Sequence, residues 1–192
     1  MQEAWEERYR RGETGWDRGE TSPALAGWLE SGLLTPCRIL VPGCGKGYEV
    51  VELARRGFEV TAVDIAPSPL KALKSALART GGTAEVIQAD LLQWWPNEPF
   101  DAIYEQTCLC ALDPDSWPDY AQRLHAWLKP GGRLYALFMQ TGRPGGPPFH
   151  CALEDMHRLF SPEHWQWPKA PHPVIHHPTG LHELAVILRR IP

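Results

Sequence analysis

Short apolar runs alternate along the chain with segments of helical periodicity. The runs predict strands at residues 38–41, 58–63, 84–88, 100–105 and 133–139, with two further β-like segments near Val174 and over 184–188. Helical spacing predicts helices over 48–56, 70–80, 117–128 and 152–160, with Ser68 as the N-cap of the second and Pro69 as its first residue. Strands that alternate with helices predict a doubly wound α/β sheet that is mostly parallel.

Length and charge narrow the class of protein. A chain of 192 residues favours one domain, 1–192, with an α/β core over 24–192 and a preceding segment over 1–23. The formal net charge is −4 and no basic run is present, so we expect no nucleic-acid partner. No apolar stretch approaches the roughly 18 residues of a membrane span, and the first 20 residues are charged, so we expect a soluble, cytoplasmic protein without a membrane partner.

Five cysteines at irregular spacing predict neither a disulfide framework nor a zinc knuckle. Cys108 and Cys110 could take part in thiol chemistry or metalloid capture, but buried thiols near a strand end are the plainer interpretation. Seven of the eight histidines follow residue 149 in a proline-rich context that fixes no ligand geometry. We therefore predict no metal site.

A glycine-rich turn joins the first predicted strand to the first predicted helix. The pattern G-x-G-x-G is complete at Gly43, Gly45 and Gly47, whereas a dinucleotide fingerprint would need glycine where Tyr48 stands. Such a turn lets a ligand approach the backbone and the free N–H groups of a helix N-terminus. The pattern therefore favours, as the ligand of this turn, a nucleoside without a pyrophosphate.

Carboxylates follow the next two predicted strands. Asp64 comes 21 residues after Gly43, the spacing at which a carboxylate accepts hydrogen bonds from ribose hydroxyls, and Asp90 could receive an adenine amino group. Taken singly, a glycine turn is more often a tight connection, and a strand-end aspartate more often caps a helix. Three such features at one sheet edge favour a nucleoside site, because ligands of open α/β sheets collect at the carboxyl edge.

These residues resemble the ordered motifs of class I S-adenosylmethionine-dependent methyltransferases. The resemblance is carried by Val41-Pro-Gly-Cys-Gly-Lys-Gly47, Val63-Asp64-Ile65, Ala89-Asp90-Leu91 and Leu128-Lys-Pro-Gly-Gly132. With Trp5-x3-Tyr9-x2-Gly12-x-Thr14-x-Trp16-Asp17-x-Gly19 and Gly145-Gly-Pro-Pro-Phe149, the chain is similar to the thiopurine S-methyltransferase family, and most of all to its branch of small thiol and halide methyltransferases. One departure from the superfamily is Val41, which stands where an acidic residue is usual.

The resemblance implies a class I methyltransferase fold, Rossmann-like and doubly wound, with an antiparallel strand near its C-terminus and residues 1–23 as a lid. It implies S-adenosylmethionine as cofactor, S-adenosylhomocysteine as product, a small-molecule methyl acceptor and a monomer. By the same resemblance the glycine turn, through Gly43 first, contacts the cofactor backbone, Asp64 the ribose, Asp90 and Leu91 the adenine, and Glu105 and Gln106 the methionine portion.

Three aromatic side chains of the lid segment would line the cofactor pocket by this resemblance: Trp5, Tyr9 and Trp16. Physical chemistry supports this independently, because an aromatic face within about 6 Å attracts a poorly hydrated sulfonium by roughly 0.5–2 kcal/mol. The alternative is a hydrophobic staple for a terminal helix.

The acceptor side of the site is predicted in the loop 140–150, which follows the fifth strand. Two prolines there can hold Phe149 at a fixed angle against an acceptor, or Phe149 can simply fill core. Methyl transfer from a sulfonium needs positioning and desolvation more than a general base. No catalytic base is therefore assigned, and Tyr9 and Glu105 are candidates by location alone.

Two other functions stay open on the sequence. A dinucleotide-dependent oxidoreductase would use the same kind of sheet, although Tyr48 argues against its fingerprint. A non-catalytic module could bind the cofactor and transfer nothing. The leading interpretation is a methyltransferase acting on a thiol, a thiopurine, a halide or a related sulfur or selenium species.

Overall fold

Three parallel strands form the sheet of the first half of the chain in the computed structural model, which describes residues 1–191. β1 (Arg38–Pro42) and β3 (Glu85–Gln88) flank β2 (Glu59–Asp64) in the order β3-β2-β1. The connecting helices are α3 (Tyr48–Arg55) and α4 (Pro67–Thr80). All residues of β1 and β2 except the first of each are buried, as expected of parallel strands that are covered on both faces.

The N-terminus of α4 differs from the prediction. The helix begins at Pro67, with Ala66 as N-cap, so Ser68 is a residue of the first turn and not the cap. Proline at the first helical position fits because its missing N–H needs no partner there. Leu70, Leu73 and Leu77 are buried on one face, as the periodicity indicates.

Two helices precede the first strand, in a region where the apolar pattern predicted none. They are α1 (Gln2–Arg11) and α2 (Pro23–Glu30). No residue of α1 is fully buried, which explains why the helix leaves no clear apolar stripe in the sequence. Ser22 caps α2 by accepting a hydrogen bond from the Ala24 N–H at 3.3 Å.

The second half of the chain contains a mixed sheet in the order β4-β5-β8-β6. β4 (Phe100–Gln106) and β5 (Leu128–Gln140) are parallel, whereas β8 (His182–Arg190) runs antiparallel to β5. β6 (Trp165–Gln166) and β7 (Val174–His176) are both antiparallel to β8. The helices are α5 (Trp117–Trp127) and α6 (Leu153–Leu159), with 3-10 turns at Leu109–Ala111 and Pro114–Ser116.

β5 begins earlier than predicted and β6 was not predicted. The pairing of β5 with β4 starts at Leu128 and resumes at Arg133 after an irregularity, so the Pro130–Gly132 segment interrupts the ladder without ending the strand. β6 has only two residues, too few for an alternating pattern to register.

The chain divides into two compact units, Met1–Trp94 and a second that begins at Trp95. The expectation of a single domain stays a prediction. Within residues 1–191, no helix is both long enough and apolar enough to span a bilayer.

Candidate active site

The glycine turn between β1 and α3 needs glycine for two physical reasons. Gly43, Gly45 and Gly47 all have left-handed backbone conformations, with φ of 59°, 53° and 71°. A Cβ on Gly47 would lie 2.5 Å from Leu73 Cδ1, and one on Gly45 would lie 2.9 Å from the Tyr9 hydroxyl oxygen. Both the conformation and the close approach of neighbours therefore exclude larger residues.

Asp64, the last residue of β2, is tied to this turn by its carboxylate. Oδ2 accepts a hydrogen bond from the Gly45 N–H at 2.8 Å, and Oδ1 accepts one from the Ala66 N–H at 2.9 Å. Burial raises the pKa of Asp64, against the opposing effect of these backbone hydrogen bonds. Each carboxylate oxygen has a second acceptor site, so the group can still receive two further hydroxyl donors.

The three predicted aromatic side chains form one cluster. Trp16 packs edge to face against Trp5 at 5.6 Å and against Tyr9 at 5.7 Å between ring centroids. The Arg8 guanidinium lies 5.0 Å from the centroid of Trp5. The cluster is half-buried, which agrees with neither a fully buried staple nor a free surface.

The Tyr9 hydroxyl lies beside the glycine turn. Burial, followed by the nearby charge of Asp64, raises the pKa of its phenol, so the hydroxyl stays protonated at neutral pH. As a catalytic base, Tyr9 stays a candidate by location alone.

Polar contacts fasten the segment before β1 to the turn and to α4. Glu6 of α1 accepts hydrogen bonds from the N–H of Ser68 at 3.0 Å and from its hydroxyl. Asp17 pairs with Lys46 of the turn at 2.7 Å. The Ser22 N–H donates to Glu49 of α3 at 3.0 Å. The sequence offered no signal for these partners, because isolated charges on a polar segment resemble a solvated surface.

Replacing Glu6 with alanine should expose the segment to proteolysis. The variant leaves the N-terminus of α4 without its carboxylate acceptor, so we expect tryptic cleavage at Arg8–Arg18 to accelerate several-fold, as measured by mass spectrometry. Glu7→Ala is the matched control, since Glu7 lies on the same helix and contacts Arg11 in solvent. Equal cleavage of the two variants would contradict the anchoring role.

The same anchor should depend on pH in a definite direction. The Ser68 hydrogen bonds lower the pKa of Glu6 below its ordinary value of 4.5. Protection of the segment from cleavage is therefore full above about pH 4.5 and is lost as the pH falls through the lowered pKa of Glu6. A protease that is active in acid measures this loss.

Asp90 and Leu91 follow β3. One Asp90 oxygen accepts a hydrogen bond from the Leu92 N–H at 2.9 Å, which closes a local turn, and the other has no hydrogen-bond partner within residues 1–191. Leu91 is buried beside it. The carboxylate thus closes a turn, whereas the plainer interpretation has it cap a helix, and it keeps acceptor capacity.

Glu105 and Gln106 end β4 in the second unit, and both side chains have protein partners. Glu105 is buried and accepts a hydrogen bond from the Leu109 N–H at 2.6 Å. Burial, with a smaller effect from Glu183, raises the pKa of Glu105 to about 7. The Tyr104 hydroxyl donates to Gln106 Oε1 at 2.7 Å, and Gln106 Nε2 donates to Glu183 at 3.3–3.4 Å.

Sequence reasoning missed Glu183, which lies fully buried in β8 opposite Met139. A glutamate within an apolar run was the available signal, because such a residue is rarely buried without a partner. Thr107, directly after Gln106, has φ of 58°, which is uncommon for a β-branched residue and marks a fixed turn at the end of β4. Contact of Glu105 or Gln106 with a cofactor stays a prediction.

The loop after β5 is closed by hydrogen bonds of its own. His150 Nδ1 accepts from the N–H groups of Thr141 and Gly142 at 3.1 and 3.2 Å. The Phe149 N–H donates to the Cys110 carbonyl at 2.7 Å, and its ring is half-buried. The position of Phe149 is therefore fixed by the backbone, whichever role its ring has.

Two buried cysteines, Cys110 and Cys151, lie next to this loop. Burial raises the pKa values of Cys110 and Cys151, so both thiols stay protonated and unreactive near neutral pH. Among the residues that the structure describes, no three His, Cys, Asp or Glu side chains form a group that could hold a metal ion.

The fold is that of class I methyltransferases. The 1,6-didemethyltoxoflavin-N1-methyltransferase of Burkholderia thailandensis, solved with bound 1,6-didemethyltoxoflavin and S-adenosylhomocysteine, superposes with a TM-score of 0.80 at 22% identity, over 100% of this chain and 87% of that one. The α/β class expected from the alternation of strands and helices is thus confirmed, as is the class I methyltransferase fold that the resemblance implies.

The sequence comparisons identify the family. The profile described as Thiopurine S-methyltransferase (TPMT) matches residues 1–178. A probable thiol methyltransferase 2 of Arabidopsis thaliana is 35% identical over 161 residues, 82% of this chain and 71% of the relative. A thiocyanate methyltransferase 1 of Brassica oleracea is 34% identical over 164 residues, with the same coverage. The chain belongs to the thiopurine S-methyltransferase family. This confirms the expectation that it is an S-adenosylmethionine-dependent methyltransferase.

Proposed function

We propose that the chain transfers a methyl group from S-adenosylmethionine to a small, soft nucleophile, with a thiol as the first candidate. The proposed binding of the cofactor rests on the hydrogen bond from the Gly45 N–H to Asp64, which joins the glycine turn to the end of β2. The relatives that are named for thiol and thiocyanate methylation support the acceptor class.

The residues of the first unit fit an adenosyl sulfonium. S-adenosylmethionine, when bound, supplies a methyl group that is already activated for displacement. The glycine turn offers N–H groups without side chains, and Asp64 keeps two acceptor sites for ribose hydroxyls. Trp5, Tyr9 and Trp16 offer aromatic faces to a cation, and Asp90 with Leu91 offers an acceptor and an apolar surface to adenine.

Residues 1–23 would act as the lid of this site. Their anchors to Ser68, Lys46 and Glu49 lie beside the glycine turn, which supports a segment that covers the cofactor and excludes water. Gly43 and Gly47 have left-handed conformations in the turn that this segment would cover. The protein's part in catalysis is then positioning and desolvation, without an assigned base.

The acceptor would be held by the loop 140–150 of the second unit, with Phe149 as a wall and Glu105 and Gln106 at the end of β4. We further propose that residues 1–192 work as one domain, as a cytoplasmic monomer, with a small molecule as the only substrate besides the cofactor and without nucleic acid or membrane as partner.

A labelled-cofactor screen over acceptors tests the function. We expect methyl transfer to thiols, hydrosulfide or thiocyanate at rates well above those to alcohols and amines of similar size, because soft nucleophiles displace from sulfonium most readily. Cofactor binding without transfer to any sulfur, halide or selenium acceptor would favour the non-catalytic module instead. A signal in the nicotinamide absorbance band would favour the oxidoreductase.

Phe149→Ala separates an acceptor wall from core filling. Because the ring is half-buried, its removal should cost less than the roughly 3–5 kcal/mol of a fully buried phenylalanine. An acceptor wall predicts that kcat/KM for the acceptor falls about 10-fold or more while the affinity for S-adenosylhomocysteine is unchanged. Phe149→Leu should restore part of the loss. Unchanged acceptor kinetics in Phe149→Ala would exclude the wall.

A further inference from the structure

A cavity of about 660 Å³ opens at the opposite end of β5 from the candidate acceptor loop. Its lining comes from the start of β5, from β6 and its neighbours, and from the end of β8, and it includes Gly131, Trp165, Trp167, Arg189 and Arg190. The loop 140–150 follows the carboxyl end of β5, roughly 30 Å away at about 3.3 Å per strand residue. The volume lies within the usual range for small-molecule sites, about 300–1,000 Å³.

Positive charge is concentrated at this end of the sheet. Arg133 of β5 stands directly opposite Arg189 of β8, and such like-charged cross-strand pairs are destabilising. No carboxylate within residues 1–191 forms an ion pair with Arg133, Arg189 or Arg190. A cluster of this kind is unexpected in a chain of net charge −4.

Of the two guanidiniums in the lining, that of Arg190 is held by a hydrogen bond, whereas that of Arg189 is exposed. Arg189 Nη2 lies 3.5 Å from the position that a Cβ on Gly131 would take, so the missing side chain makes room for it. Arg190 Nη1 donates to the Leu128 carbonyl, whereas its Nε is buried and has no hydrogen-bond partner within the described chain. An unsatisfied buried donor of a charged group is costly and is ready to bind an acceptor.

The apolar walls are also rigid. Trp165 is almost fully buried and packs edge to face against Phe160 at 5.6 Å and His125 at 5.3 Å. Trp167 donates its indole N–H to the Phe160 carbonyl at 2.7 Å and stacks on His157 at 3.8 Å. Burial, and then the charge of Arg190, lowers the pKa of His125, so this imidazole stays neutral beside the cavity.

We propose that this cavity is a second ligand site, for a flat organic anion: an aromatic ring system that bears a carboxylate or a phosphate. The ring packs against Trp167, the half-buried indole of the lining, and the anionic group accepts hydrogen bonds from Arg189 and Arg190. The hydrogen bonds that hold Trp167 and Arg190 lower the entropy cost of binding. The inference does not depend on methyl transfer.

Calorimetry on the full chain in saturating S-adenosylhomocysteine tests the proposal. The probes are 2-naphthoate and adenosine 5′-monophosphate, each with its neutral counterpart, 2-naphthamide and adenosine. We expect one of the anions to bind at least 10-fold more tightly than its neutral counterpart, with an affinity that falls as salt rises. The stronger anion tells a carboxylate site from a phosphate site.

Two variants of the same residue locate the site. Arg189→Gln should weaken the anion at least 10-fold, and Arg189→Lys should keep part of the affinity. Arg79→Gln, the same charge change at an exposed position of the first unit, should leave binding unaltered. Three results would overturn the proposal: equal affinity of anion and neutral counterpart, no binding of either anion at concentrations up to about 10 mM, or full binding of the anion by Arg189→Gln.

Discussion

Asp64→Ala should weaken S-adenosylhomocysteine binding by about 1–3 kcal/mol, or roughly 5- to 150-fold, because two ribose hydroxyls lose their acceptor. It should also lower the free energy of unfolding by about 1–3 kcal/mol, since the N–H groups of Gly45 and Ala66 lose their buried partner. Titration calorimetry and urea denaturation measure the two effects separately.

Two further variants keep this result interpretable. Asp64→Asn preserves the size of the side chain and one acceptor oxygen, so it should retain more stability than alanine while still losing cofactor affinity. Glu154→Ala removes an exposed carboxylate whose partner, Arg158, is also exposed, and should change neither quantity appreciably. Unaltered cofactor affinity in both Asp64 variants would show that the carboxylate serves the fold alone.

Gly47→Ala should lower the free energy of unfolding by roughly 2–5 kcal/mol. About 1–2 kcal/mol of this comes from placing alanine in a left-handed conformation, and about 1–3 kcal/mol from the clash of the new Cβ with Leu73. The displaced turn should also bind S-adenosylhomocysteine more weakly. Chemical denaturation gives the first quantity and calorimetry the second.

Gly81→Ala is the matched control for this substitution. Gly81 has nearly the same φ, 69° against 71°, and nothing lies within 4 Å of its Cβ position, so only the conformational cost should appear. Combining Gly47→Ala with Leu73→Ala should cost less than the sum of the two single changes, since the shortened side chain makes room. Equal costs for Gly47→Ala and Gly81→Ala would contradict the steric explanation.

The sequence predicts the α/β alternation well because its signals are local. Runs of buried residues in β1 and β2 and the leucine spacing of α4 are both short-range patterns. The glycine turn is equally readable, since its spacing and the helix that follows lie within a few residues. The start of α4 was misplaced because the partner that occupies Ser68 is Glu6, 62 residues away.

The partners of the candidate site residues could not be read from the sequence, because they come from distant segments. Asp64 is joined to Gly45 across 19 residues, and Gln106 meets Glu183 across 77. Residues so far apart in the sequence leave no periodic pattern that would predict their contact. The cavity near Trp165 is a further case, since its guanidiniums and indoles converge only through the register of β8 with β5 and β6.

Mass balance of a single reaction tests the central claim most directly. The protein is incubated with S-adenosylmethionine carrying a trideuterated methyl group and a small thiol, and both products are quantified by mass spectrometry. Methyl transfer predicts equal amounts of S-adenosylhomocysteine and trideuteromethyl thioether, with both formed more slowly in Asp64→Ala when S-adenosylmethionine is below saturation. No thioether above the protein-free rate, or the same rate in Asp64→Ala as in the unaltered chain at that cofactor concentration, would contradict the account.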